Sequence, residues 1–158
     1  MHAEIELDYR RLAERLESVR KSGLRLALTN GCFDVLHVGH VRLLREARAQ
    51  GDLLVVALND DASVRANKGD ARPWVPLEER AEVIASLRGV DYVTSFGEPT
   101  AAELLATLRP DVHVKGTDWT AETVPERAIV EAYGGTIAIC GDPKTHSSTA
   151  LIRRLGGG

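Results

Sequence analysis

The stretch Leu28-Thr29-Asn30-Gly31-Cys32-Phe33-Asp34-Val35-Leu36-His37-Val38-Gly39-His40 decides how this chain is read. An apolar run over 24–28 leads into a glycine turn, and two histidines then bracket Gly39 at the expected mouth of a helix. Such a junction gathers backbone N–H groups, a helix N-terminus and two imidazoles around one small volume, which suits a polyphosphate. Gly39 fits close approach of a phosphate to the backbone, where a side chain would block it. A plain helix-start glycine would serve equally.

His37 and His40 are three apart, so on a helix they share a face. Three readings compete for them. A zinc pair is one, although helical pairs are usually four apart with a glutamate, and no third ligand is evident here. Packing or capping is the second. In the third, imidazole N–H groups donate to α- and β-phosphate oxygens as charge grows there.

Outward from this stretch, strands and helices alternate. Leu7, Leu12, Leu16 and Val19 have helical spacing and predict an amphipathic first helix within 1–22. A strand is expected at 24–28, then a helix through Val41, Leu43, Leu44 and Ala47 that closes at Gln50-Gly51. The run 52–58 is apolar almost throughout, as in a parallel strand buried on both faces. Helices are expected over 77–87, 101–108, 126–133 and 148–155, with strands at 92–94, 111–115 and 136–140, and a frayed tail at 156–158. The pattern predicts an α/β domain: five parallel strands with helices on both faces. Ligands of such sheets bind beyond the carboxyl ends of the strands. Asn30-Gly31, Asn59-Asp60, Lys115-Gly116 and the segment 141–148 all fall there.

At 158 residues the chain reads as one domain, 1–158, able to bury ~70% of its unfolded surface. Net charge is -3 and aromatics are 4%, so neither a basic surplus nor stacking aromatics point to nucleic acid. No apolar run approaches the ~18–20 residues of a membrane span, and no signal segment opens the chain, so a cytoplasmic location is expected. Cys32 and Cys140 are too few for a disulfide framework or a zinc cluster and are read as reduced thiols. Gly-x-x-x-x-Gly-Lys-[Ser/Thr] and Gly-x-Gly-x-x-Gly are both missing, against a P-loop kinase or a dinucleotide oxidoreductase.

Other residues carry two readings each. Asp34 either orients its loop or assists a magnesium-bound pyrophosphate, and Phe33 packs under the loop. Lys68, beside Gly69, is a solvated lysine or a mobile loop cation. Arg80 follows Glu78-Glu79 in what looks like a charged helix start. Trp119, after Lys115-Gly116-Thr117-Asp118, is a lid over the core or a border of the site. Ser147 or Ser148 would cap the last helix.

The order Gly-x-Phe-Asp-x-x-His-x-Gly-His, met at Gly31, Phe33, Asp34, His37, Gly39 and His40, resembles the signature of the cytidylyltransferase-like nucleotidyltransferases. Asp60-Asp61-Ala62-Ser63-Val64-Arg65, Lys68-Gly69, Val114-Lys115-Gly116 and Glu131-Ala132-Tyr133-Gly134-Gly135 further resemble D-glycero-β-D-manno-heptose 1-phosphate adenylyltransferases. The likeness runs over about 24–155. It implies a Rossmann-like nucleotidyltransferase fold and transfer of AMP from ATP to a sugar 1-phosphate, without the sugar kinase often fused to such domains. It further implies Mg²⁺ bound mainly with ATP or pyrophosphate, and a homodimer.

Residue by residue, the resemblance makes His37, His40 and Lys68 catalytic. It gives the nucleotide to Asn30, Gly31, Cys32, Phe33, Gly39, Lys115, Gly116, Ser147, Ser148 and Thr149. The acceptor falls to Asp34, Arg80, Asp118 and Trp119. The ligands of the metal are left unassigned. Lys144-Thr145-His146 and Pro125-Glu126 depart from the heptose pattern, and a cytidylyltransferase for glycerol 3-phosphate or a silent nucleotide-binding module are the alternatives.

Overall fold

The computed structural model describes residues 2–143 and 147–156. In chain order the elements are β1 (Glu4–Asp8), α1 (Tyr9–Lys21), β2 (Leu26–Gly31), α2 (Val38–Arg48), β3 (Leu53–Asn59), α3 (Asp61–Lys68) and α4 (Leu77–Ala85). They continue with β4 (Tyr92–Phe96), α5 (Ala102–Leu108), β5 (Val112–Gly116), α6 (Arg127–Ala132), β6 (Thr136–Cys140) and α7 (Ser148–Arg154). The strands form one parallel sheet in the order β1-β4-β3-β2-β5-β6.

β3 shows why a continuous apolar run builds the middle of this sheet. Leu54, Val56 and Leu58 pack with Leu44 and Ala47 of α2 and with Ala81 and Ile84 of α4. Val55 and Ala57 point the other way, onto Leu12 and Leu16 of α1 and onto Leu104, Leu105 and Leu108 of α5. With both faces covered, alternation of polar and apolar residues disappears. The result is the Rossmann-like layering expected from the sequence.

The sheet has six strands where five were expected, and the first helix begins at Tyr9 rather than near the N-terminus. The sixth strand is β1, Glu4-Ile5-Glu6-Leu7-Asp8, whose two apolar residues alternate with acids. Leu7 belongs to this strand, yet its spacing to Leu12 and Leu16 also fits a helix, so period alone could not separate the two. At the sheet edge the acids have a role: Arg15 of α1 pairs with Glu4 and, at 3.2 Å, with Glu6. Charges on an edge strand also discourage pairing with other chains. Asp8 then ends the strand and caps α1 by accepting from Arg10 N.

α3 was not expected either. Its signals are local: Asp60 Oδ1 accepts from Ser63 N at 2.7 Å, and Gly69, at φ +98°, ends the helix. Lys68 is therefore the last residue of a helix and not part of a loop. Among the described residues no helix is long and apolar enough to cross a membrane.

Candidate active site

The chain leaves β2 through α2 to β3 on one side, and later returns through α5 to place β5 on the other side of β2. The crevice at this switch is where an open α/β sheet takes its ligand. A cleft opens there at the carboxyl ends of β2, β5 and β6, lined by residues 29–33, Gly39, His40, Leu43, 115–119 and 140–143.

Of the histidine motif, Gly39 and His40 line the wall beneath α2, and His37 does not. His37 is the N-cap of α2, and its Nδ1 accepts from Gly39 N at 3.1 Å. His40 returns the favour: its Nδ1 accepts from His37 N at 3.3 Å. This is a capping box made of two imidazoles in place of a hydroxyl and a carboxylate. The rings stack with centroids 3.9 Å apart, and Phe33 packs on His40 at 5.1 Å. Where Nδ1 accepts, the ring N–H sits on Nε2. Capping, one of the readings of the motif, thus uses Nδ1 of both rings.

Phe33 lies in the left-handed region at φ +48°, unusual for a residue with a side chain. Its ring is buried under the turn and fills the space beside Gly31, where a Cβ would stand 3.1 Å from Phe33 Cε2. A glycine at 31 lets the turn close over that ring.

Asp34 and Arg80, expected at the acceptor substrate, lie beneath the cleft instead. The Asp34 side chain is fully buried and accepts from Arg72 Nε at 2.6 Å, Trp74 N at 2.9 Å and Val75 N at 2.9 Å. Burial pushes its carboxyl up, but the Trp74 and Val75 amides and the Arg72 guanidinium outweigh that and hold it below the usual range. Arg80 is 1% exposed. It donates to Cys32 O at 2.7 Å, Asn59 O at 2.8 Å, Val75 O at 2.9 Å and Asp61 Oδ1 at 2.7 Å. It ties the ends of β2 and β3 to the approach to α4, and its guanidinium is occupied by protein. A buried arginine needs such partners, and here they are three main-chain carbonyls and one carboxylate.

The facing wall follows β5. Lys115, Gly116, Asp118 and Trp119 line it, with Lys115 Nζ 5.4 Å from the centre of the Trp119 ring. Burial holds the Lys115 ammonium below its ordinary pKa, partly offset by Glu126 and Asp118. Asn30, Gly31, Cys32, Phe33 and Gly39 also line the cleft.

Lys68 is exposed at the end of α3, outside the cleft wall. Ser147 Oγ caps α7 by accepting from Ala150 N at 3.0 Å. Ser148 and Thr149 open that helix, and neither Ser147 nor Thr149 lines the cleft. Lys144, Thr145 and His146 lie outside the described residues. Among the described residues no three of His, Cys, Asp and Glu converge to hold a metal ion.

One residue of this region escaped the sequence reading. His113, in the middle of β5, is fully buried, and its Nε2 lies 2.9 Å from Asn30 Oδ1. The available signal was a polar residue between Val112 and Val114.

The family model described as cytidylyltransferase-like matches residues 28–154. The chain belongs to the cytidylyltransferase-like family. Within it, the chain is 47% identical to the bifunctional protein HldE of Syntrophotalea carbinolica, over 98% of its own length and 32% of that protein's. It is 47% identical to the bifunctional protein HldE of Pseudomonas aeruginosa strain LESB58, over 89% of its own length and 30% of that protein's. The chain thus spans about a third of the length of these curated relatives. Among solved structures, a lipopolysaccharide core biosynthesis protein from Thermoplasma volcanium superposes with a TM-score of 0.63 at 27% identity, covering 74% of this chain and 94% of that one. A pantoate-beta-alanine ligase from Francisella tularensis, complexed with beta-gamma ATP and beta-alanine, shares the fold at a TM-score of 0.60 and 16% identity. It covers 93% of this chain and 69% of the ligase.

Proposed function

We propose that this chain transfers AMP from ATP to D-glycero-β-D-manno-heptose 1-phosphate, forming ADP-heptose and pyrophosphate. The observation that carries the reaction class is the imidazole-capped N-terminus of α2 at the cleft, with Lys115 on the facing wall. The choice of sugar rests on the resemblance to heptose adenylyltransferases and the 47% identity to relatives named HldE.

In this reading a sugar-phosphate oxygen attacks the α-phosphorus in line, and the bond from that phosphorus to the pyrophosphate oxygen breaks. The attacking phosphate is already ionised, so no protein nucleophile or general base is needed. The work left to the protein is positioning and charge stabilisation. His37 and His40 offer Nε2–H donors to the α- and β-phosphate oxygens, while their Nδ1 atoms keep both rings fixed to the helix start. The first-turn amides of α2 add their dipole. Lys115 supplies a cation from the opposite wall, and Lys68 reaches the outgoing pyrophosphate from the exposed end of α3. Ser147, Ser148 and Thr149 hold nucleotide phosphates at the start of α7, and Asp118 and Trp119 border the acceptor.

Mg²⁺ would be bound mainly with ATP or pyrophosphate and would supply charge neutralisation to the phosphates there. We further read the chain as a cytoplasmic homodimer, which light scattering of the purified protein tests.

The deciding experiment is pyrophosphate release with Mg²⁺ and the heptose 1-phosphate, comparing ATP with CTP. Release with ATP alone is expected. Release with CTP alone would keep the mechanism and overturn the nucleotide. Silence with both would overturn the acceptor or the activity itself.

A further inference from the structure

The row of side chains across the sheet at Leu28, His113 and Ile137 faces the layer of α1, α5 and α6. Two of the three are aliphatic; the third is a fully buried imidazole. A leucine would satisfy this position by packing alone, so the imidazole calls for a reason. Among the described residues His113 makes one hydrogen bond, between Nε2 and Asn30 Oδ1 at 2.9 Å, and its buried Nδ1 has no partner.

Two proton arrangements fit that distance. If Nδ1 carried the proton, a buried N–H would be left without an acceptor. If Nε2 carries it, only a lone pair goes unsatisfied, which proteins tolerate more often. The second arrangement also fits the environment, because burial, helped by Lys115, pushes the ring's pKa down to about 3 and keeps it neutral. Nε2–H therefore donates, and Asn30 Oδ1 accepts.

The consequence lies at Asn30. With its oxygen engaged by His113, its amide nitrogen is left for other partners. No hydrogen bond within the described residues engages Asn30 Nδ2, and Asn30 lines the cleft at the end of β2. An asparagine alone could flip, presenting acceptor or donor to a ligand. We propose that His113 is a positioning residue that locks Asn30 with its NH₂ toward the cleft, as a donor to an acceptor oxygen of the bound nucleotide. This rests on the nucleotide reading of the cleft and adds to it a residue two layers removed from the ligand.

The test uses the full chain, His113→Leu, His113→Gln, Asn30→Ala and the His113→Leu/Asn30→Ala double variant. ATP affinity is measured by calorimetry, thermal midpoints alongside, and the imidazole ¹⁵N resonances of the unmodified chain by NMR between pH 5 and 8. His113→Leu is expected to weaken ATP about tenfold, as Asn30→Ala does, with no further loss in the double variant. His113→Gln, which restores a donor, recovers most of the affinity. The NMR spectrum shows one neutral, Nε2-protonated His113 throughout the pH range. Additive losses, or a His113→Leu change confined to the thermal midpoint, would overturn the proposal, as would an Nδ1-protonated ring. Failure of the unmodified chain to bind ATP, with the Nε2–H form intact, would overturn the nucleotide reading of the cleft while leaving the His113–Asn30 bond standing.

Discussion

Replacing Arg80 with methionine separates a substrate contact from a structural clamp. The guanidinium makes four hydrogen bonds, three of them to main-chain carbonyls. Methionine keeps most of the buried stem and removes every donor. Three carbonyl bonds at about 1 kcal/mol each give ~3 kcal/mol. The Asp61 pair adds about 1 kcal/mol more, since that carboxylate is 32% exposed and water replaces part of the lost interaction. A total of ~4 kcal/mol corresponds to a fall of about 12 °C in Tm for a domain of this length. Differential scanning calorimetry reads the midpoint, and steady-state kinetics below the transition read KM for the phosphate acceptor. The clamp predicts a large fall in Tm and a modest rise in KM. A midpoint within about 3 °C of the unmodified chain, joined to a steep rise in acceptor KM, would refute the clamp and return Arg80 to the substrate.

His40→Ala is expected to lower turnover about 10²–10³-fold, the range for losing a transition-state donor, while loss of its half of the capping box costs only ~1 kcal/mol in a denaturant melt. Retained turnover with normal folding would remove His40 from the chemistry. Asp34→Asn is expected to destabilise the chain at pH 7 by about 2 kcal/mol, because an amide nitrogen then meets the Trp74 and Val75 N–H groups. The sign of its pH dependence follows from a folded carboxyl held below its ordinary value of 3.8. The stabilisation is full above that value and is lost as pH falls through the folded pKa, so acid melts of the two proteins should converge. Lys115, its ammonium destabilised by burial, loses its proton earlier on the alkaline side than an ordinary lysine. ATP affinity should therefore weaken as pH rises there, and Lys115→Arg should move that limb to higher pH; an unmoved limb would exclude Lys115 as its source.

The alternation of strands and helices was legible because β3 and its neighbours are short, apolar and bounded by glycine or asparagine. The cleft was legible for the same reason, since Asn30-Gly31 and Lys115-Gly116 end such runs and the topology brings those ends together. β1 was not, because Glu4-Ile5-Glu6-Leu7-Asp8 is too short to show whether its apolar residues follow period two or belong with Leu12 and Leu16. Asp34, for which orienting the loop was one of two readings, and Arg80 were hard to place for a different reason. A charge near a phosphate motif reads the same whether it meets the ligand or a buried partner, and the partners, Trp74 and Val75 amides or Cys32 and Asn59 carbonyls, are main-chain groups without a sequence signal. His113 left a trace, a polar residue inside an apolar strand, but its meaning depends on Asn30, 83 positions away.

These placements change what the motif is for. Of its polar side chains, Asp34 spends both oxygens on the 72–75 segment, and each histidine spends one nitrogen on the start of α2. Arg80, outside the motif, spends its donors on the carbonyls that flank it. Most of the polar chemistry therefore fixes backbone, and what it fixes is the turn at 31–33 that lines the cleft. In the proposed reaction, groups fixed in this way need no reorganisation as charge builds on the phosphate. Substitutions at Asp34 or Arg80 should accordingly act through the shape of that turn, lowering stability and turnover together, whereas substitution of His40 should lower turnover far more than stability.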